Sequence, residues 1–320
     1  MWKIYNHYEE QARRQGKEIL RVNLDETSVC VMQKPLRGVV MKTGRRVRVG
    51  VPSRLGVGRN HQRTNLTYVA LISDDEEFSA QLPQFIIGNA TTFPEARYGR
   101  YFREAPPNVW LLKTQIAWNN HEIMKKIIRV LALVGRVMRP NAQIILCLDT
   151  HQSHIHEEVF ATYHEEGIKP LFIPARTTSM LQPLDVCVFR VFKERLRRRF
   201  HDLHADAQGP VDVPSLLTAL YDAIENTILH RAWPHIFRVC GLSDRQQHVS
   251  SFLQSHIPLP AHSVCTLMDN PPELTDRDIQ AIMPSNRRIP LATFLPPPPL
   301  DPVLALPDAP VDAAVEVHRF

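Results

Sequence analysis

With 320 residues the chain is long enough to bury a sizeable core, and its 44% apolar and 22% charged content excludes a disordered or fibrous class. The net charge of +5 and pI near 9.0 are only mildly basic, but the positive charge is clustered. Lys42, Arg45, Arg46 and Arg48 form one group and Lys193, Arg195, Arg197, Arg198 and Arg199 another, which suits a polyanion partner or a solvated face.

No apolar run approaches the length needed to cross a bilayer, and the first residues lack a signal-peptide core. The five cysteines are scattered without paired spacing. The expectation is an intracellular protein in a reducing compartment, with no membrane partner.

Along the chain, a polar helix is expected over Trp2 to Gln15, ending at Gly16. Ile19 to Val29 follows as a strand, with Leu20, Val22 and Leu24 on one face and Asp25 near its end. Arg46 to Val51 and Asn65 to Ile72 are expected to join it as an antiparallel meander, with a short strand at Phe85 to Ile87 and a loop over Thr91 to Pro107. Trp118 to Val137 is strongly helical, with Asn119 and Asn120 as cap candidates.

Ala142 to Asp149 is an unbroken apolar run ending in a carboxylate, the pattern of a strand buried on both faces. A helix over His156 to Glu166 and a strand over Ile168 to Pro174 then complete a parallel crossover unit. Leu184 to Asp202 reads as a basic helix with Asp185 at its start, and Ser215 to His230 as an amphipathic one. Thirteen of the 26 prolines lie after Ile257, including the run from Pro296 to Pro299. The expected division is therefore an N-terminal helix at 1–17, a globular domain at 18–255, and a proline-rich, largely disordered tail at 256–320, with a short helix around Leu274 to Met283 inside it.

Three aspartates stand out by position: Asp25 late in one core strand, Asp149 at the end of another, and Asp185 at a helix start after a third. A single such residue is more often a turn or cap residue than a ligand. As a set, carboxylates held at strand ends by a rigid sheet are what hard cations such as Mg²⁺ and Mn²⁺ require, and two such ions serve phosphodiester displacement. His151, His154 and His156 form a cluster that raises zinc as another option, but without a second group of ligands.

The segments around these acids resemble a known family. Val-Asn-Leu-Asp-Glu-Thr (Val22 to Thr27), Leu-Asp-Thr-His-Gln-Ser-His (Leu148 to His154) and Ile-Pro-Ala-Arg-Thr-Thr-Ser-Met-Leu-Gln-Pro-Leu-Asp (Ile173 to Asp185) look like the catalytic blocks of the DDE superfamily endonucleases, in the pogo-like branch of the mariner transposases. The spacing of 35 residues between Asp149 and Asp185 agrees, and Trp118 and Ala232-Trp233 match further motifs. The resemblance covers roughly residues 18 to 240. It implies a ribonuclease H-like α/β fold: a mixed five-stranded sheet flanked by helices.

The resemblance also implies that Asp25, Asp149 and Asp185 are the catalytic metal ligands, holding two Mg²⁺ or Mn²⁺ ions. Thr150, His154 and Gln182 would stand behind them. From their position beside Asp185, Arg176 in the loop before it and Lys193, Arg195, Arg197, Arg198 and Arg199 on the helix after it are candidate DNA phosphate contacts, the helix being open also to a solvated face or a nuclear import signal. The implied activity is DNA cleavage and strand transfer in the nucleus, with DNA as partner, no small-molecule substrate, and a homodimer as one arrangement open to it.

Two departures weigh toward another class, a catalytically silent transposase-derived DNA-binding or interaction protein. Thr150 stands where the family usually carries Asn, and the paired helix-turn-helix modules are missing ahead of the core, so specific recognition of transposon ends is not expected from this chain alone. A ribonuclease acting on RNA-DNA hybrids shares the fold and the metals.

Overall fold

The computed structural model describes residues 1–30, 37–42, 45–50, 65–89, 99–100, 103–115, 117–206, 213–243, 250–256 and 273–295. Helix α1 (Trp2–Arg14) leads through Gly16, whose φ of +64° suits the turn, into β1 (Glu18–Cys30). Then come β2 (Arg37–Lys42), β3 (Arg45–Gly50), β4 (Asn65–Ser73), α2 (Glu76–Gln81), β5 (Gln84–Asn89) and β6 (Val109–Thr114). The second half runs α3 (His121–Met138), β7 (Ala142–Asp149), α4 (Glu157–Glu165), β8 (Lys169–Ile173) and α5 (Thr178–Leu181). A π-helical turn (Leu184–Val188) follows, feeding α6 (Phe189–Asp206), and α7 (Val213–Ile224) runs on through a second π turn (Glu225–Leu229). Short helices α8 (Pro234–Val239), α9 (Ser251–His256), α10 (Asp276–Gln280) and α11 (Leu291–Phe294) complete the order.

The main sheet has the order β6-β5-β4-β1-β7-β8. β4 runs antiparallel to β1 and β5, whereas β7 is parallel to β1 and to β8. That mixed arrangement, with the antiparallel strand beside β1, is the ribonuclease H-like fold. The sheet has six strands where five were expected, because β6 adds in parallel to β5 at the edge. An edge strand takes hydrogen bonds on one side only and is mostly half-buried, so Val-Trp-Leu-Leu-Lys-Thr carries neither a clean alternation nor a continuous buried run.

The expected meander is corrected at its middle member. Arg45–Gly50 pairs with Arg37–Lys42 in a separate two-stranded sheet, and it is Asn65–Ser73 that joins β1 directly. Basic residues alternating with valine suit a two-stranded ribbon as well as a strand of the main sheet. The crossover β7-α4-β8 is as expected, with Leu146 to Leu148 fully buried at the centre of the sheet.

Apolar periodicity explains how α3 seats. Ile123, Ile127, Ile128 and Leu131 face the core, Asn120 caps the first turn by accepting from the Ile123 amide, and Gly135 allows a close approach to β7. A Cβ at Gly135 would lie 2.6 Å from the Ile144 Cδ1.

Despite its polar composition, α1 is docked rather than free. Tyr5, Tyr8 and Glu9 are buried, and Glu9 and Tyr5 bond the Arg21 guanidinium, which also pairs with Asp74 at 2.6 Å. Packing likewise continues past residue 255. Leu274, Ile279, Ile282 and Phe294 join the main core, Phe294 stacking near Tyr8, Phe160 and Phe172. The proline run 296–299 and the rest of the chain lie outside the described residues.

Candidate functional site

The parallel pairing of β1 and β7 ends at the rung Asn23 to Cys147. Beyond it β1 stays with β4, placing Asp25 opposite Ala70, while β7 stays with β8, placing Asp149 opposite Ile173. The two strands therefore part just where each presents its acid. Asp185 enters from the π-helical turn, an irregularity often found at functional positions.

The three carboxylates form one electrostatic group. Asp25 is only 8% exposed, and its charge and that of Asp185 act on one another. Burial first, and then the charges of Asp185, Glu26 and Asp149, push the Asp25 carboxyl well above the usual range. Asp185 is also raised, chiefly by partial burial, against hydrogen bonding from Thr178 and the positive charge of Lys193.

Asp149 goes the other way. Burial opposes its ionisation, but His154, the His151 amide and the His151 ring together hold it below the ordinary value.

His154 is fully buried. Its Nδ1 lies 2.8 Å from Asp149 Oδ1 and its Nε2 3.0 Å from Glu26 Oε1, which also receives Asn119 Nδ2 at 2.5 Å. Burial alone would strip the imidazole of its proton, yet the two carboxylates outweigh that and raise its pKa well above 6.5. The ring is thus a buried cation fastening the Asp149 loop to β1, and it presents no face to solvent.

Other candidates are placed less centrally. Among the described residues no hydrogen bond ties Thr150 to the acids. Gln182 is completely buried, and neither of its side-chain atoms has a hydrogen-bond partner among those residues. Arg176 is exposed at a φ of +68°, a left-handed conformation that costs a non-glycine residue about 1–2 kcal/mol.

Along α6, Arg195 is held by two hydrogen bonds to Asp222, Arg199 lies 3.6 Å from the same carboxylate, and Arg198 pairs with Glu194. Lys193 leans over the Phe189 ring, and Arg197 is exposed with no ion pair among the described residues.

The three histidines do not converge: His151 bonds Ser153, His154 faces the acids, and His156 caps α4. His121, His156 and Glu158 do bring ligand atoms within 4.8 Å of one another. The two rings stack nearly parallel at 13°, and Lys125 already bonds Glu158.

Glu26, Asn23 and Thr178 were not singled out from sequence, and Asn119 was read only as a cap candidate. Glu26 had a visible signal, since a second acid directly after Asp25 must point to the opposite face of the strand and find its own partner. The others depend on contacts made between distant segments.

Three carboxylates, Asp25 buried and Asp149 and Asp185 more open to solvent, are oxygen donors of the kind a divalent cation takes, and its charge would relieve the repulsion that helps raise Asp25 and Asp185.

Comparison with known proteins identifies a family. The family model described as DDE superfamily endonuclease matches residues 67–238, more than half of the chain, spanning Asp149 and Asp185 and beginning after Asp25. The human protein "Pogo transposable element with ZNF domain" is 36% identical over 58 residues, which is 18% of this chain and 4% of that protein. Among solved structures, the Mos1 transposase paired-end complex with left transposon end is similar at a TM-score of 0.44 and 14% identity, over 76% of this chain and 58% of that one. The catalytic domain of Mos1 mariner transposase is similar at a TM-score of 0.35 and 12% identity, over 71% and 90%.

Proposed function

The chain belongs to the DDE superfamily endonuclease family, and from that membership we propose that Asp25, Asp149 and Asp185 form a divalent-metal-dependent centre for DNA strand cleavage and transfer. The observation that carries the reading is the parting of β1 and β7 at Asn23 and Cys147, which leaves Asp25 within β1 and Asp149 at the end of β7 beside Asp185 from a third segment. Bound Mg²⁺ or Mn²⁺, as two ions, would supply charge stabilisation to the phosphodiester and acidify the attacking water or 3′-hydroxyl.

The chain's own residues do the holding. Asp149 stays ionised because His154 and the His151 amide stabilise its charge, so it is a ready ligand. Burial and the neighbouring carboxylates disfavour the ionised forms of Asp25 and Asp185, so metal uptake would be favoured by rising pH. His154 itself, buried and doubly engaged, orients rather than reacts.

Phosphate contacts fall to the charges not already committed to carboxylates: Arg176 in the loop before Asp185, Lys193 and Arg197 on the helix after it. Arg195, Arg198 and Arg199 contribute to the same positive face with their charge partly neutralised. A chromosomal DNA substrate places the protein in the nucleus.

The test is nicking of supercoiled plasmid by the purified chain with Mg²⁺ or Mn²⁺, beside DNA binding across a salt series. Nicking is expected only with metal, and binding is expected to weaken at least about tenfold between 50 and 200 mM salt. Salt-sensitive binding with no nicking under either metal would support the DNA-binding alternative instead, and preference for RNA-DNA hybrids would point to the ribonuclease.

A further inference from the structure

The inner polar face of β1 carries Arg21, Asn23, Asp25 and Thr27, each under 10% exposed. Arg21 is engaged by the carboxylates of Glu9 and Asp74, and Asp25 belongs to the acid group. Asn23, completely buried, is the member whose partners come from both of the other acid-bearing segments. Its Nδ2 donates to the Cys147 carbonyl at 2.9 Å, and its Oδ1 accepts from the Leu184 amide at 2.9 Å. A longer contact from Nδ2 reaches the Leu24 carbonyl at 3.4 Å.

Each of those partners stands one or two residues from an acid. Cys147 precedes Asp149 by two positions on β7, Leu184 directly precedes Asp185, and Asn23 itself precedes Asp25 by two on β1. The Leu184 amide is also one of the first donors of a helical segment, which has no intrahelical acceptor and would otherwise be left unpaired in the core. Asn23 lies at the last β1–β7 rung, so its amide stands where the ladder's own hydrogen bonds stop holding the strands together.

We propose that Asn23 is a positioning residue: its single side-chain amide moors the three segments that carry Asp25, Asp149 and Asp185 and so sets the spacing of the acids. This rests on the reading of those acids as metal ligands, but the mooring itself is a property of the metal-free chain. A primary amide suits the place because it offers a donor and an acceptor from one rigid plane. Leucine or valine, the usual occupants of a fully buried strand position, would leave both the Cys147 carbonyl and the Leu184 amide unpaired.

Two readouts separate the mooring from its consequence. In Asn23→Ala, hydrogen exchange of the backbone amides around Leu184 in metal-free buffer is expected to accelerate at least about tenfold relative to the global opening rate. The affinity for Mn²⁺, followed by its electron paramagnetic resonance signal, is expected to weaken about 10- to 100-fold, the usual effect of removing a group that orients metal ligands. Leu131→Ala, a core change in α3 away from the acids, is the control for general destabilisation and should leave both quantities near wild type.

Asn23→Ser keeps a hydroxyl able to donate to Cys147 and should fall between wild type and alanine, which decides the matter if the alanine variant does not fold. Unchanged exchange at Leu184 in the folded alanine or serine variant would overturn the proposal, as would equal losses in the Leu131→Ala control. A wild-type chain that binds no Mn²⁺ would overturn the reading of the acids as ligands, and the exchange data would still decide the mooring.

Discussion

Asp25→Asn and Asp149→Asn are both expected to lower metal-dependent nicking by about 10³-fold or more, a loss of roughly 4 kcal/mol of transition-state stabilisation, yet to move thermal stability in opposite directions when metal is withheld. Asp25 is buried against two other carboxylates, and its folded pKa lies above the unfolded one. Its ionisation therefore opposes folding, and the opposition grows as pH rises from about 4 through the raised value.

Asparagine at position 25 removes that charge, so at neutral pH it should stabilise the metal-free chain by on the order of 1 kcal/mol, a Tm rise of roughly 2–4 °C. Near pH 4 the gain should vanish. Asp149 carries the reverse sign. Its pKa is depressed, so its contribution is present above the unfolded value and lost only as pH falls through the lowered one. Asp149→Asn should cost about 1–2 kcal/mol at neutral pH, because the charged partner of His154 is gone. Melting curves of the two variants in chelator, at pH 4 and pH 7, check both signs. Equal shifts in one direction would contradict the assignment of a repelled and a stabilised acid within one group.

His154→Ala should be more damaging still, at about 3–5 kcal/mol in denaturant unfolding, the range for removing one partner of a buried charge pair. The imidazole is wholly buried between Asp149 and Glu26, and without it Glu26 keeps only Asn119 as a side-chain partner among the described residues. The pH dependence supplies the sign. Because the folded pKa of His154 is raised, its stabilisation is fully present below about pH 6.5 and is lost as pH rises through the folded value. The gap between wild type and variant should therefore narrow at alkaline pH. A difference within about 0.5 kcal/mol at pH 6 would mean that the ring is not the cation fastening this loop.

How far the site could be read from the chain follows from which contacts are local. Asp25 and Asp149 were visible because each follows a legible apolar strand pattern, Leu20, Val22 and Leu24 before one and Ile144 to Leu148 before the other, although β1 runs on past Asp25 to Cys30. Asp185 followed from the spacing and wording of its block. The hydrogen bonds that organise these acids were not visible, because Asn23 reaches across 161 residues to Leu184 and His154 across 128 to Glu26.

The fold was missed for a related reason at β6, an edge strand without strong patterning, and at β3, whose alternation does not say which strand it will pair with. The segment 273–295 was expected within a proline-rich, largely disordered tail with a short helix around Leu274 to Met283, where the structure has the helix Asp276–Gln280. Its apolar residues Leu274, Ile279, Ile282 and Phe294 nonetheless find the core, a tertiary choice that composition does not encode. The basic helix was read as a DNA-phosphate contact, a solvated face or a nuclear import signal, and the pairing of Arg195 and Arg199 with Asp222 on α7 was not visible in it.

The most direct measurement is Mn²⁺ binding by the purified chain and by Asp25→Asn, Asp149→Asn and Asp185→Asn, each shown to be folded. Saturable binding by the wild-type chain that falls at least about tenfold in every one of the three variants is the expected result. Binding that is absent in the wild type, or that survives all three substitutions unchanged, would contradict the central claim that these acids form one metal centre.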